Sequence, residues 1–165
     1  MVRYFRFLTL FAALFIGGAM LAPAPAEARS QVNISTQYAP GTIVVRTGQR
    51  RLYYVTARGK AISYRVGVGR AGRQWSGNNR VARKVVNPAW INPYDKKRKV
   101  IPPGPRNPLG VRALVLAHGQ YAIHGTNNPG SIGGAVSLGC IRMYNKDVLD
   151  LYGRARIGTK VIVTR

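Results

Sequence analysis

The sequence predicts a mainly β domain with one short helix near its end, and three observations carry that expectation. Apolar residues alternate with small or polar ones through Ile62, Tyr64, Val66 and Val68, the period of a half-buried strand. Turn-forming clusters punctuate the apolar segments at Thr47-Gly48-Gln49, Arg58-Gly59-Lys60 and His118-Gly119-Gln120. The clearest helical spacing starts at Asn145, with Val148, Leu149, Leu151 and Tyr152 on one apolar face.

Residues 1–28 read as a secretory signal. Arg3 and Arg6 precede the uncharged run Leu8 to Leu21, and small-residue cleavage sites follow at Ala24-Pro25-Ala26 and Ala26-Glu27-Ala28. The run is short for a membrane span, which needs about 20 apolar residues, so no stable span is expected after cleavage. No Cys follows the run, which argues against a lipid-attached form. Ser30 to Gly41 is polar, and residues 29–41 are expected to be a linker ahead of a folded domain at 42–165.

Within that domain, Thr42 to Arg46 and Arg51 to Thr56 flank the Thr47 turn as a hairpin, and Ala61 to Val68 is the next strand. Gly69 to Asn79 reads as a loop and Val81 to Val86 as another strand. Asn87 to Leu109 holds six prolines and the basic run Lys96-Lys97-Arg98-Lys99, which predicts an irregular, exposed segment, either a solvated loop or a substrate-facing flap. Ala113 to Ala117 and Tyr121 to His124 read as strands. Asn145 is a good N-cap, Asp147 suits the first helical turn, and Gly153 suits the stop. Lys160 to Thr164 closes the domain as a strand.

Charge narrows the partners. The chain has 26 Lys and Arg against 4 acids, a net charge of +22, and beyond the signal only Asp95, Asp147 and Asp150 are acidic. Such a surface favours polyanions. The export signal and the absence of a recognised motif argue against nucleic acid; anionic lipid and a carboxylate-rich polymer remain, with peptidoglycan the leading partner, and charge alone says only that the partner is acidic. Cys140 is the single cysteine and cannot close an internal disulfide, so it is either an inert buried thiol or a reactive one.

The surroundings of Cys140 bear on that choice. His124 ends a strand and is followed by Gly125-Thr126-Asn127-Asn128-Pro129-Gly130, a loop that exposes an imidazole. Ser137-Leu138-Gly139-Cys140 sets the thiol behind a glycine, and Arg142 lies two residues on, where it can lower the thiol pKa or grip a carboxylate. A thiol attacks as its thiolate, and an imidazole can take its proton. Backbone N–H groups of Gly139 and Cys140 could face an oxyanion. From these residues alone, a core cysteine and a turn histidine remain an open reading.

The motifs Ile123-His124-Gly125-Thr126, Ser131-Ile132-Gly133 and Ser137-Leu138-Gly139-Cys140-Ile141-Arg142-Met143 together resemble the signature of the L,D-transpeptidase catalytic domain, the YkuD domain. Tyr64 to Gly69, Asn107-Pro108-Leu109-Gly110, Asn145 to Tyr152 and Gly158 to Val161 extend the likeness over nearly all of residues 42–163. The resemblance implies a mixed β-sandwich or barrel with the short helix after the catalytic cysteine. It also implies Cys140 as nucleophile, His124 as base, Gly139 and Gly125 as oxyanion and orienting groups, and Arg142 and Ser137 as substrate-binding residues. No metal or cofactor is implied. The implied substrates are peptidoglycan stem peptides, with an amine, in one case that of an envelope protein, as acyl acceptor. A monomer in the periplasm or cell envelope is the expected setting.

Two positions depart from the family pattern. Leu138 stands where Ser-His-Gly-Cys has a second histidine, and Trp75-Ser76-Gly77 replaces the usual Thr-Pro-x-Gly. His118 reads as a turn residue outside the chemistry, and Tyr121 and Tyr144 as packing. Two other classes stay in view: a sortase-like cysteine transpeptidase, against which the missing Thr-Leu-x-Thr-Cys counts, and a catalytically silent basic module that holds peptidoglycan.

Overall fold

The computed structural model describes residues 29–92 and 95–165, so the expected signal segment 1–28 lies outside the described residues. The first half of the domain contributes β1 (Ser30–Asn33), β2 (Ile43–Arg46), β3 (Arg51–Ala57), β4 (Lys60–Arg65), β5 (Val68–Gly69) and β6 (Gly77–Val86). Then come β7 (Trp90–Ile91), β8 (Val100–Ile101), β9 (Arg112–Leu116), β10 (Ala122–His124), β11 (Ala135–Ser137) and β12 (Ile141–Arg142). The helix α1 (Asn145–Arg154) and the strand β13 (Lys160–Thr164) close the chain. Nine strands form one mixed sheet in the order β1-β4-β3-β2-β13-β6-β9-β10-β12.

Period-two alternation sets one face of this sheet toward the core. Ile43 and Val45 of β2, Leu52 of β3 and Tyr64 of β4 meet Val161 and Val163 of β13 in one buried cluster. The cluster continues through Val81, Leu114 and Ile123 to Val148 and Leu151 of α1, which lays its apolar stripe against the sheet. The helix is fixed at its outer side too: the Tyr64 hydroxyl donates to Asp150 Oδ2 at 2.5 Å, and Asp150 pairs with Arg154 one turn on.

The sheet curls without closing, so the architecture is an open, curved mixed sheet rather than a barrel. Its β12 edge reaches the chain just beyond β4 through a single bridge, in which Gly67 and Arg142 exchange two hydrogen bonds of 2.9 Å. Gly67 is a glycine for a steric reason, since a Cβ there would lie 2.8 Å from the Ser131 carbonyl oxygen.

Three local expectations are corrected. The polar segment expected as a linker holds β1, whose residues pair antiparallel with Ser63 to Lys60 at the sheet edge. An edge strand is stabilised by main-chain hydrogen bonds, which its polar side chains leave undisturbed. Tyr144, not Asn145, occupies the N-cap of α1, and the helix runs through Gly153 to Arg154. Asn145 is drawn instead into a tertiary contact, where its Oδ1 accepts the Thr126 N–H at 3.0 Å. That bond ties the start of α1 to the segment following His124. The proline-rich stretch carries the small β7–β8 hairpin, with Trp90 opposite Ile101.

Candidate active site

The parallel pairing of β10 with β12 brings the two halves of the sequence motif together. Ile123 faces Ile141 and His124 faces Arg142. Alternation then divides the pair by face. Ile123 and Ile141 point into the core, buried to 0% and 1% exposure. Ala122, His124, Cys140 and Arg142 turn the other way and line one cavity of about 620 Å³. Two residues along a strand span about 6.6 Å, so Cys140 lies one pleat behind the His124–Arg142 rung on the same face.

His124 is 3% exposed, and its Nδ1 lies 2.6 Å from the Gly125 carbonyl oxygen. A carbonyl can only accept, so Nδ1 carries the ring proton and Nε2 keeps its lone pair. Burial lowers the imidazole pKa to about 4; the Gly125 bond opposes that shift and the Arg142 charge adds to it. Burial also raises the Cys140 thiol above its ordinary value, moderated by a backbone hydrogen bond at Ala122 and by Arg142. At neutral pH the resting pair is therefore a thiol and a neutral imidazole. Arg142 favours a thiolate here and disfavours an imidazolium. Its Nε is buried and has no hydrogen-bond partner among the described residues.

The turn that carries Cys140 is held from within. Ser137 Oγ donates to the Cys140 carbonyl at 2.6 Å and accepts the Gly139 N–H at 3.0 Å. The Ser137 hydroxyl, expected to bind substrate, is thus engaged within the turn, and the Gly139 N–H, expected at an oxyanion, donates to it. Gly139 has φ +121°, and a Cβ there would meet the Tyr121 ring at 2.5 Å, so the turn requires glycine. Trp75 stacks on Tyr121 with ring centroids 4.7 Å apart, and its Nε1–H donates to the Gly139 carbonyl at 2.9 Å. Ser137→Ala is expected to leave the Gly139 N–H without a partner. A loss of about 1–3 kcal/mol in stability should follow, measured by urea unfolding, because an orphaned buried donor keeps its full desolvation cost.

Leu138, Pro108, Leu109, Trp90 and Ile91 give the cavity apolar walls, and Arg73 and Arg142 give it positive charge. Trp90, Ile91, Pro108 and Leu109 come from the 87–109 segment, in line with its reading as a substrate-facing flap, whereas the sequence does not single out Arg73 for this cavity. His118 is exposed and does not line the cavity. Trp75 braces the turn that carries Cys140 and does not line the cavity. No cluster of three or more His, Cys, Asp or Glu suited to a metal is found among the described residues.

Comparison with known proteins gives a consistent family. The L,D-transpeptidase catalytic domain (YkuD) matches residues 40–163. A probable L,D-transpeptidase ErfK/SrfK of Salmonella typhimurium is 36% identical over 132 residues, 72% of this chain and 42% of that protein. A putative L,D-transpeptidase YkuD of Bacillus licheniformis is 55% identical over 62 residues, 38% of each chain. The chain thus spans under half the length of these relatives. Among solved structures, L,D-transpeptidase 3 of Mycobacterium tuberculosis with a faropenem-derived adduct superposes with a TM-score of 0.61 at 18% identity, over 75% of this chain and 60% of that one. The ertapenem-acylated catalytic domain of the Enterococcus faecium L,D-transpeptidase gives 0.59 at 18% identity, over 74% and 95%. At such identity the structural likeness speaks for the fold.

Proposed function

We propose, from the premise that this chain belongs to the L,D-transpeptidase catalytic-domain family, that its domain is a cysteine acyltransferase acting on peptidoglycan stem peptides. The observation that carries the reading is the shared cavity, which Cys140, His124 and Arg142 enter from one face of a parallel strand pair.

The reaction follows from the protonation states. His124 Nε2 takes the thiol proton as Cys140 Sγ attacks the carbonyl carbon of an L-centre–D-alanine amide. A tetrahedral oxyanion forms, then collapses to a thioester as the carbon–nitrogen bond breaks. The proton on Nε2 goes to the departing D-alanine amine. An acceptor amine then attacks the thioester, gives up its proton to His124, and releases the thiol. Gly125 holds the tautomer throughout. With the Gly139 N–H engaged by Ser137, the Cys140 N–H is the remaining main-chain candidate for the oxyanion, and the Arg142 guanidinium supplies positive charge beside it. Leu138 makes one wall apolar where most of the family carries a second imidazole.

Residues 1–28 direct export in this reading, and the domain works in the periplasm or cell envelope, where its acceptor is a second stem peptide or an envelope protein amine. The protein acts without cofactor or metal. Incubation with a stem tetrapeptide ending in D-alanine and a free D-amino acid should yield the exchanged peptide by mass spectrometry. Unchanged tetrapeptide after prolonged incubation, from folded protein, would count against the assignment.

A further inference from the structure

We propose that the protein carries a second binding site, an arginine pocket that grips clustered carboxylates of the wall polymer away from the catalytic cavity. Arg46, Arg51 and Arg65 face one another directly across β2, β3 and β4. Residues in one cross-strand rung share a face, at a strand spacing of about 4.8 Å. The neighbouring rung, Val45, Leu52 and Tyr64, belongs to the buried core, so the arginines project from the opposite side.

The pocket beside this rung takes in Arg51 and Arg65 but not Arg46, whose guanidinium lies over the Tyr53 ring. A depression of about 450 Å³ is lined by Gly48, Gln49, Arg50, Arg51, Arg65 and Gly133, sharing no residue with the catalytic cavity. No acid from the described residues lines it. Arg50 sits in the turn at φ +52°, a left-handed conformation unusual for a side-chain-bearing residue, and its Nη1 donates to the Gly133 carbonyl at 2.7 Å. Arg51 Nη1 donates to Ser63 Oγ at 3.4 Å, across to the next strand. A Cβ at Gly133 would lie 2.6 Å from the Arg65 guanidinium, so glycine makes the room in which that group lies.

Guanidinium forks bind carboxylate and phosphate oxygens in pairs, and a row of them suits a polymer whose anions are closely spaced. Carboxylates are the choice here because the proposed substrate carries them, and to that extent the inference rests on the transpeptidase reading. Gly133 opens the segment that ends at Cys140, so the pocket and the thiol belong to one stretch of chain.

The test is binding to purified sacculi at 0.1 M salt, read on Cys140→Ala protein so that no covalent capture contributes. Arg50→Gln/Arg65→Gln should weaken Kd about tenfold or more, the scale of losing charge-assisted hydrogen bonds. Arg58→Gln/Arg156→Gln removes the same charge from exposed positions elsewhere and should cost less than about twofold. Equal losses in the two variants would overturn the site in favour of diffuse attraction. Should Arg50→Gln loosen the turn, Arg65→Lys keeps the charge, loses the fork and should also weaken binding; wild-type affinity would overturn the proposal. Amidating the sacculus carboxyl groups should erase the difference between the two double variants, whereas hydrofluoric acid removal of phosphodiesters should preserve it. The reverse result would overturn the carboxylate assignment. Failure of the transpeptidase reading itself would show in acylation of the wild-type thiol, which this binding measurement does not use.

Discussion

Cys140→Ala is expected to abolish both carbapenem acylation and transfer to an amine acceptor, with the folded state retained. The sulfur is the only thiol in the chain, and it faces the cavity rather than the core. Truncation to Cβ leaves the backbone of the turn intact, with the Ser137 clamp and the Trp75–Gly139 hydrogen bond in place. Ser137 also lines that cavity, but its hydroxyl is engaged by the Cys140 carbonyl and the Gly139 N–H. Intact-mass spectra of wild type and variant with a carbapenem separate the outcomes. A full adduct on the variant would end the nucleophile assignment.

The second large effect concerns His124. His124→Ala should slow acylation on the order of 10²–10⁴-fold at neutral pH, the scale of general-base assistance. His124→Gln, which fills more of the buried space, should lose as much, which separates the base from a packing role. The pH profile gives a sharper signature. With the imidazole pKa lowered to about 4, the wild-type rate should hold as pH falls past 6.5 and decline only near 4. The thiol is pushed upward by burial, so alkaline rescue of the variants should set in only above the ordinary thiol range. Stability moves in step. Between about pH 6.5 and 4 the unfolded chain binds a proton that the folded imidazole refuses, so His124 makes the wild type less stable as pH falls through that window. The Gln variant should lose that part of the slope in urea unfolding measured across the same range.

The strands with clean alternation were legible in the sequence because one neighbour decides their pattern, the core beneath them. The hairpin around Thr47-Gly48-Gln49 follows the expectation, whereas the strand at Ile141–Arg142 and its parallel pairing with β10 are seen only in the fold. What escaped is tertiary. Asn145 satisfies the rules for a cap, yet the free Thr126 N–H outbids the helix end for its oxygen. β1 reads as linker because edge pairing is made by the backbone. The Gly139 N–H looked available for an oxyanion, and only the folded turn brings Ser137 Oγ onto it. Trp75 is 64 residues from the glycine it supports, a separation at which no local spacing rule operates.

The nucleophile is tested most directly by the fate of the wild-type protein given a stem tetrapeptide and no acceptor amine. The expected result is a covalent adduct whose mass equals the peptide acyl group after loss of D-alanine, mapped by proteolysis to Cys140 as a thioester that free hydroxylamine cleaves. An adduct on another residue, or release of D-alanine at the wild-type rate from Cys140→Ala protein, would contradict it.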